Sequence, residues 1–377
     1  MASIIYKNEV IKRRFFGYVI NSKGFSPKTV ECYEKAIWLW DDFSHKADYI
    51  GFNKTAAEGF KNWLKAKKKA NSQKEISVSY RYDMLRYLKV FFGWLSKQKG
   101  YRKIDQTAVD YLNLSKAEVK IATQPRKVEV PSLEDIKAVI EGIQGNSEVI
   151  KRDRALISLM FLTGARVSAV RTLPMKSLDR EKLTIDQNPA FGVKTKFSKR
   201  IITLLMSCPD YKKPLDYFLE WFDYLGEEKK FKPDDPMFPA TKIENGAENL
   251  SYYNTGQVEP IFWKSSTSIS KIIEKRFNDA GIKHYKPHAI RHFLIKRVAK
   301  LPLTEEQKKA ISQSLGHEDV RTTFGSYGYG RIDPDKQIEI INNIDFAGTN
   351  QGIKQSMSQE DIGRIAEEVA KKLKGDS

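Results

Sequence analysis

The chain has 377 residues, enough for two or three domains, and its 65 Lys and Arg against 47 Asp and Glu leave a formal charge of +18. An excess that large points to a polyanion, nucleic acid first, while 41% hydrophobic and 30% charged residues exclude a disordered chain. The longest apolar run, about Ala155 to Ala165, falls short of the roughly 18 residues a membrane span needs. The opening MASIIYKNEV lacks the apolar core of a signal peptide, and Cys32 and Cys208 alone make neither a disulfide framework nor a structural zinc site. The expectation is a soluble, cytoplasmic protein with no membrane association.

The first hundred residues predict helices. One lies near residues 8 to 22. Ser26-Pro27 then supplies a cap and a first helical residue for a stripe of Val30, Tyr33, Ile37, Trp38 and Trp40 running to Phe43. A helix after Thr55 carries Phe60, Trp63 and Leu64, and another from about Ser77 to Lys97 carries Met84, Leu88, Phe91 and Leu95. Residues 1–112 thus form a small helical bundle with basic edges. Residues 113–130, NLSKAEVKIATQPRKVEV, lose the apolar rhythm and are predicted to be an extended basic linker.

A larger domain, 131–345, restarts at Ser132, with Asp135 completing a capping box. Around residues 182–186 and 192–205 the period shortens and β-branched residues flank Lys194, Lys196, Lys199 and Arg200, predicting a β-hairpin or small sheet. Helices resume from about Ser266 to Ala280 and from Pro287. Residues 346–377 are a linker and a last helix capped by Ser358, whose Ile362, Ile365, Val369 and Leu373 stripe needs a partner surface, a neighbouring protomer being the hypothesis.

Four pieces of the larger domain concentrate phosphate-competent side chains. In Thr163-Gly164-Ala165-Arg166 the small residues let the backbone approach closely and Arg166 can fork onto a phosphate. In Pro287-His288-Ala289-Ile290-Arg291-His292, Pro287 suits the first helical position, so His288 and Arg291 share one face at an anion-favouring helix start. Zinc binding by His284, His288 and His292 is disfavoured because Pro287 leaves His284 outside the helix. The third piece runs from Leu315-Gly316-His317 to Gly325-Ser326-Tyr327-Gly328-Tyr329, and the fourth is the lysine-rich turn. Taken singly, each is more often a tight turn, a satisfied core histidine, a packed surface loop or a solvated charge cluster.

In this order, Arg166, a hairpin lysine, His288-x-x-Arg291, Gly316-His317 and a tyrosine resemble the active site of the tyrosine recombinases, also called the phage integrase family. The resemblance covers roughly residues 130 to 345, and the helical N-terminal part is similar to the family's core-binding domain. It implies a mainly α fold with a small antiparallel sheet (α+β), arranged as a two-domain clamp around double-stranded DNA, and a homotetramer on DNA.

The resemblance also implies a site-specific recombinase or integrase, of a virus or other mobile genetic element, needing no cofactor, metal or ATP. Tyr327 would be the nucleophile that forms a 3′-phosphotyrosyl link. Arg166 and Arg291 would clamp the phosphate, Lys194 would protonate the leaving 5′-oxygen, and His288 and His317 would shuttle protons or donate hydrogen bonds. Lys196 is the alternative lysine, and Tyr329 the alternative tyrosine. Ala169 stands where the family usually has an acidic residue. A catalytically silent DNA-binding relative and a topoisomerase-like relaxing enzyme are the other readings.

Overall fold

The computed structural model describes residues 2–69, 73–124, 128–207, 211–245, 252–329 and 338, with the backbone alone for 2–3, 245, 252 and 326–329. The predicted helix at Ser358 lies outside the described residues. The chain divides into two compact units, Met1–Arg126 and Lys127–Ser377.

The first unit is helical: α1 (Ala2–Asn21), α2 (Pro27–Phe43), α3 (Lys54–Ala66) and α4 (Val78–Leu95), followed by a 3₁₀ segment (Gln106–Leu112) and α5 (Lys116–Thr123). The Ser26 hydroxyl accepts from the Thr29 amide and Pro27 opens α2, as the dipeptide predicts. The stripe on α2 buries Tyr33, Ile37 and Trp40, whereas Trp38 faces solvent. Trp40 packs on Phe52, Phe60 and Phe92 with ring centroids 4.8–5.4 Å apart. Each such fully buried ring contributes about 1.5–3 kcal/mol. The basic segment 113–130 is not extended throughout. A capping box at Ser115 and Glu118 starts α5, and Arg81 of α4 pairs with Glu118 at 3.3 Å. The polar sequence hid a helix whose start is signalled by its cap rather than by an apolar stripe.

The second unit comprises α6 (Leu133–Gly142), α7 (Glu148–Thr163), α8 (Val167–Val170), strands β1 (Leu178–Asp179), β2 (Thr184–Gln187) and β3 (Ile201–Leu204), then α9 (Lys213–Asp223), β4 (Ala240–Asn245), β5 (Tyr252–Glu259), α10 (Ser266–Asp279), α11 (Pro287–Val298) and α12 (Glu305–Ser314). A π-helical segment, Arg321–Tyr329, follows. Ser132 and Asp135 form the predicted capping box on α6.

The long apolar run is the C-terminal nine residues of α7, buried continuously from Ala155 to Thr163 because other elements pack on every side of it. β1, β2 and β3 form an antiparallel sheet in that order, with Ile185 opposite Thr203 and Gln187 opposite Ile201. The expected strand over 192–205 is shorter, since residues 188–200 are a loop with two 3₁₀ turns and pairing begins at Ile201.

The β4–β5 hairpin has no counterpart among the predicted elements. Buried Arg152 of α7 anchors it by donating to Pro239 O and Thr241 Oγ1 at 3.2 and 2.8 Å. Glu148 accepts from the Val258 amide at 2.7 Å, and Asp153 pairs with both Arg152 and Arg276, fixing α7 to α10. Removing one partner from so buried a network costs about 3–5 kcal/mol.

Candidate active site

The first cationic turn is built by the end of α7. Gly164 closes that helix in the left-handed conformation (φ 58°), which a glycine adopts without steric cost. A Cβ there would sit 3.2 Å from Leu294, 3.3 Å from Leu315 and 3.4 Å from Cγ of Arg291. Thr163 Oγ1 donates to Leu159 O at 2.6 Å and accepts from the Ala165 amide at 3.1 Å, which fixes the exit of the chain. Arg166 then stands at the start of α8 in an extended conformation, half-buried.

The second piece begins with Pro287 at the first position of α11. Three residues after His288, Arg291 points into the protein and is 3% exposed. It donates from Nη1 to Gly164 O at 2.7 Å and from Nη2 to Leu315 O at 2.5 Å, and its Nη2 lies 2.9 Å from His317 Nε2. One guanidinium therefore stitches together turns more than 150 positions apart.

A guanidinium only donates, so His317 Nε2 must accept and its proton resides on Nδ1. That proton is donated to Thr323 Oγ1 at 2.8 Å. Gly316, at φ 71°, shapes the approach, since a Cβ there would overlap Ile201 of β3.

The electrostatics follow from this crowding of cations. His317 is held down to about 3 by burial, then by the charges of Arg291, Arg166 and Lys196. His292, whose ring meets that of His288 edge-on with centroids 4.9 Å apart, is lowered to about 4 by burial and by His288, Lys296 and Arg291. The outer edge of His288 faces solvent, yet protein around its ring, Arg291 and Arg166 lower it as well. All three imidazoles are neutral at neutral pH in this field.

The lysine-rich loop joins β2 to β3. Val193 is buried, and the Lys194 amide donates to Thr172 Oγ1 at 2.9 Å. That hydroxyl in turn donates toward the Ser168 and Ala169 carbonyls of α8, just beyond Arg166. Lys194 and Lys196 are both exposed, and it is the charge of Lys196 that reaches His317. Thr195 Oγ1 closes the loop by donating to Lys199 O at 2.7 Å, and Lys199 Nζ pairs with Glu318, next to His317, at 3.1 Å.

Thus Arg166, His288, Arg291 and His317 share one electrostatic neighbourhood, with the lysine loop tied to it at both ends. The backbone of Tyr327 and Tyr329 belongs to the segment Arg321–Tyr329, whereas their side chains lie outside the described residues. Ala169, at the position noted for its lack of an acid, is buried at 1% exposure.

Sequence reasoning missed Thr323 and Thr172, whose one signal was a hydroxyl near a candidate, and the carbonyls of Gly164 and Leu315, which have none. Among the described residues no group of three or more His, Cys, Asp or Glu could hold a metal ion, and no helix is long and apolar enough to cross a membrane.

The sequence profile of the phage integrase family matches residues 132–329. The XerC tyrosine recombinase of Lactobacillus delbrueckii subsp. bulgaricus is 24% identical over 318 residues, covering 83% of this chain and 92% of that protein. The Tn1549 transposon integrase, solved in complex with a circular intermediate DNA, shares the fold at a TM-score of 0.56 and 17% identity over 88% of this chain and 98% of that one. The lambda integrase dimer bound to a core site does so at 0.56 and 13% identity, over 86% and 99%. The chain belongs to the phage integrase family, the site-specific tyrosine recombinases.

Proposed function

We propose that the protein cuts and rejoins double-stranded DNA through a 3′-phosphotyrosyl intermediate, as the integrase of a mobile genetic element. The observation that carries this reading is the Arg291 stitch, which joins the Gly164–Arg166 turn, the α11 start and the Gly316–His317 turn at one cationic centre. A phosphodiester is the group such a centre suits, and charge that develops at phosphorus in the transition state is stabilised by prearranged cations.

In the step proposed, the phenol oxygen of Tyr327 attacks phosphorus as the bond to the 5′-oxygen breaks. The phenol proton passes to His288, which is neutral and reaches solvent, whereas both ring nitrogens of His317 are already engaged. His317 holds Arg291 in place, and Arg166 and Arg291 carry the non-bridging oxygens. Lys194, whose backbone is tied through Thr172 to the element after Arg166, gives the leaving 5′-oxygen its proton. One ester replaces another, so the bond's free energy is retained for rejoining without ATP.

Residues 1–112 are the proposed core-binding domain and 131–345 the catalytic domain. The chain assembles as a homotetramer on DNA inside the cell. The test is incubation with nicked duplexes carrying a random-sequence window, in EDTA and without ATP. Covalent protein–DNA adducts with release of a short 5′-hydroxyl fragment are expected. DNA binding without any adduct would favour the catalytically silent alternative.

A further inference from the structure

The loop between β2 and β3 displays a residue that folding does not account for. Phe197 is 89% exposed, the most exposed large apolar side chain among the described residues. Its φ of 60° and ψ of 24° put a bulky residue in the left-handed region, and Ser198 follows at φ 51°. The ring is held out at a conformational cost with little apolar burial in return, a combination that clusters at functional sites.

Its surroundings say what it is held out toward. Residues 194–200 contain Lys194, Lys196, Lys199 and Arg200 and no acid. Arg200, just before β3, pairs with Asp186 of β2, which leaves Lys194 and Lys196 as the exposed cations around the ring. Both ends of the loop are pinned, by Lys194 to Thr172 and by Lys199 to Glu318, and Thr195 bridges to Lys199 across the tip. Lys196 Nζ lies 4.9 Å from the centroid of the Phe197 ring. The tip therefore presents an aromatic wedge among cations, next to the turn that carries His317.

We propose that Phe197 inserts between base pairs beside the scissile phosphate and makes the choice of cutting site depend on how easily that step unstacks. The proposal rests on the recombinase reading above. A ring flanked by phosphate-binding lysines gains stacking energy from any base, so its selectivity comes from the cost of opening the step. That cost is least at pyrimidine–purine steps such as TA and CA/TG.

The test compares wild type, Phe197→Leu and Phe197→Asn on the pool of nicked duplexes with a random window, sequencing the DNA in the covalent adducts. Asn tolerates the left-handed backbone, so Phe197→Asn removes the ring while keeping the loop. Wild-type adducts are expected to be enriched in pyrimidine–purine steps beside the scissile phosphate. Phe197→Asn should lose about tenfold of that enrichment with more distant base preferences unchanged, and Phe197→Leu should keep part of it. Equal enrichment in wild type and Phe197→Asn overturns the wedge alone, as does a loss of preference spread evenly over the window. Absence of adducts with wild type overturns the recombinase reading and the wedge with it.

Discussion

Replacing His317 by Gln tests whether a neutral imidazole is built into the site. In the folded chain its pKa is about 3, against 6.5 for an unperturbed histidine. Acid therefore favours the unfolded chain, which binds a proton near pH 6.5 while the folded chain does not. The stability contributed is complete above pH 6.5 and is lost as pH falls toward 3, at about 1.4 kcal/mol per pH unit.

Between pH 7.5 and 5.5 the loss attributable to His317 is about 1.4 kcal/mol. Gln at this position can accept from Arg291 through Oε1 and donate to Thr323 through Nε2, and it has nothing to titrate. His292 and His288, also lowered, titrate in both proteins and cancel in the comparison. The assay is urea titration at the two pH values, read by hydrogen-exchange mass spectrometry of peptides from α11. The pH-dependent loss should be smaller in His317→Gln by about 1.4 kcal/mol. Equal losses would refute the buried, neutral His317 and with it the tautomer assigned from Arg291.

Gly316→Ala should lower the stability of the second unit by about 1–3 kcal/mol, because the position is left-handed and the added Cβ meets Ile201; an unchanged urea midpoint would contradict this. Lys194→Ala should slow strand cleavage about 10²–10⁴-fold on ordinary DNA and recover on a substrate with sulfur replacing the 5′-bridging oxygen, since a thiolate leaves without a proton. Recovery of Lys196→Ala instead would move the general acid two residues along the loop.

The parts of this molecule written locally in the sequence were the legible ones. Ser26-Pro27, the Ser132 capping box and Pro287 each mark a helix start by a mechanism that needs no distant partner, and each stands where it was predicted. The composition of 113–130 hid α5 because its packing face is slight, and the β4–β5 hairpin escaped because its anchors, Arg152 and Glu148, lie 89 and 110 residues upstream of the groups they hold.

The candidate site shows the same division. Residue types and order singled out Arg166, His288, Arg291 and His317, but the bonds among them run through the Gly164 and Leu315 carbonyls and the Thr323 hydroxyl, which no side-chain pattern announces. Arg291 had been assigned to a phosphate, and the fold shows that it also ties two turns to α11. Phe197 illustrates the reverse case, a residue unremarkable in sequence whose exposure and backbone conformation single it out.

The central claim is that one particular phenol takes over the DNA strand. Digesting the covalent adduct with nuclease and protease and locating the remaining nucleotide by tandem mass spectrometry tests it directly. The account predicts a 3′-phosphoryl nucleotide on Tyr327, absent from the Tyr327→Phe protein, which still binds DNA with nearly unchanged affinity. The same nucleotide found on Tyr329 or on Ser326 would contradict it.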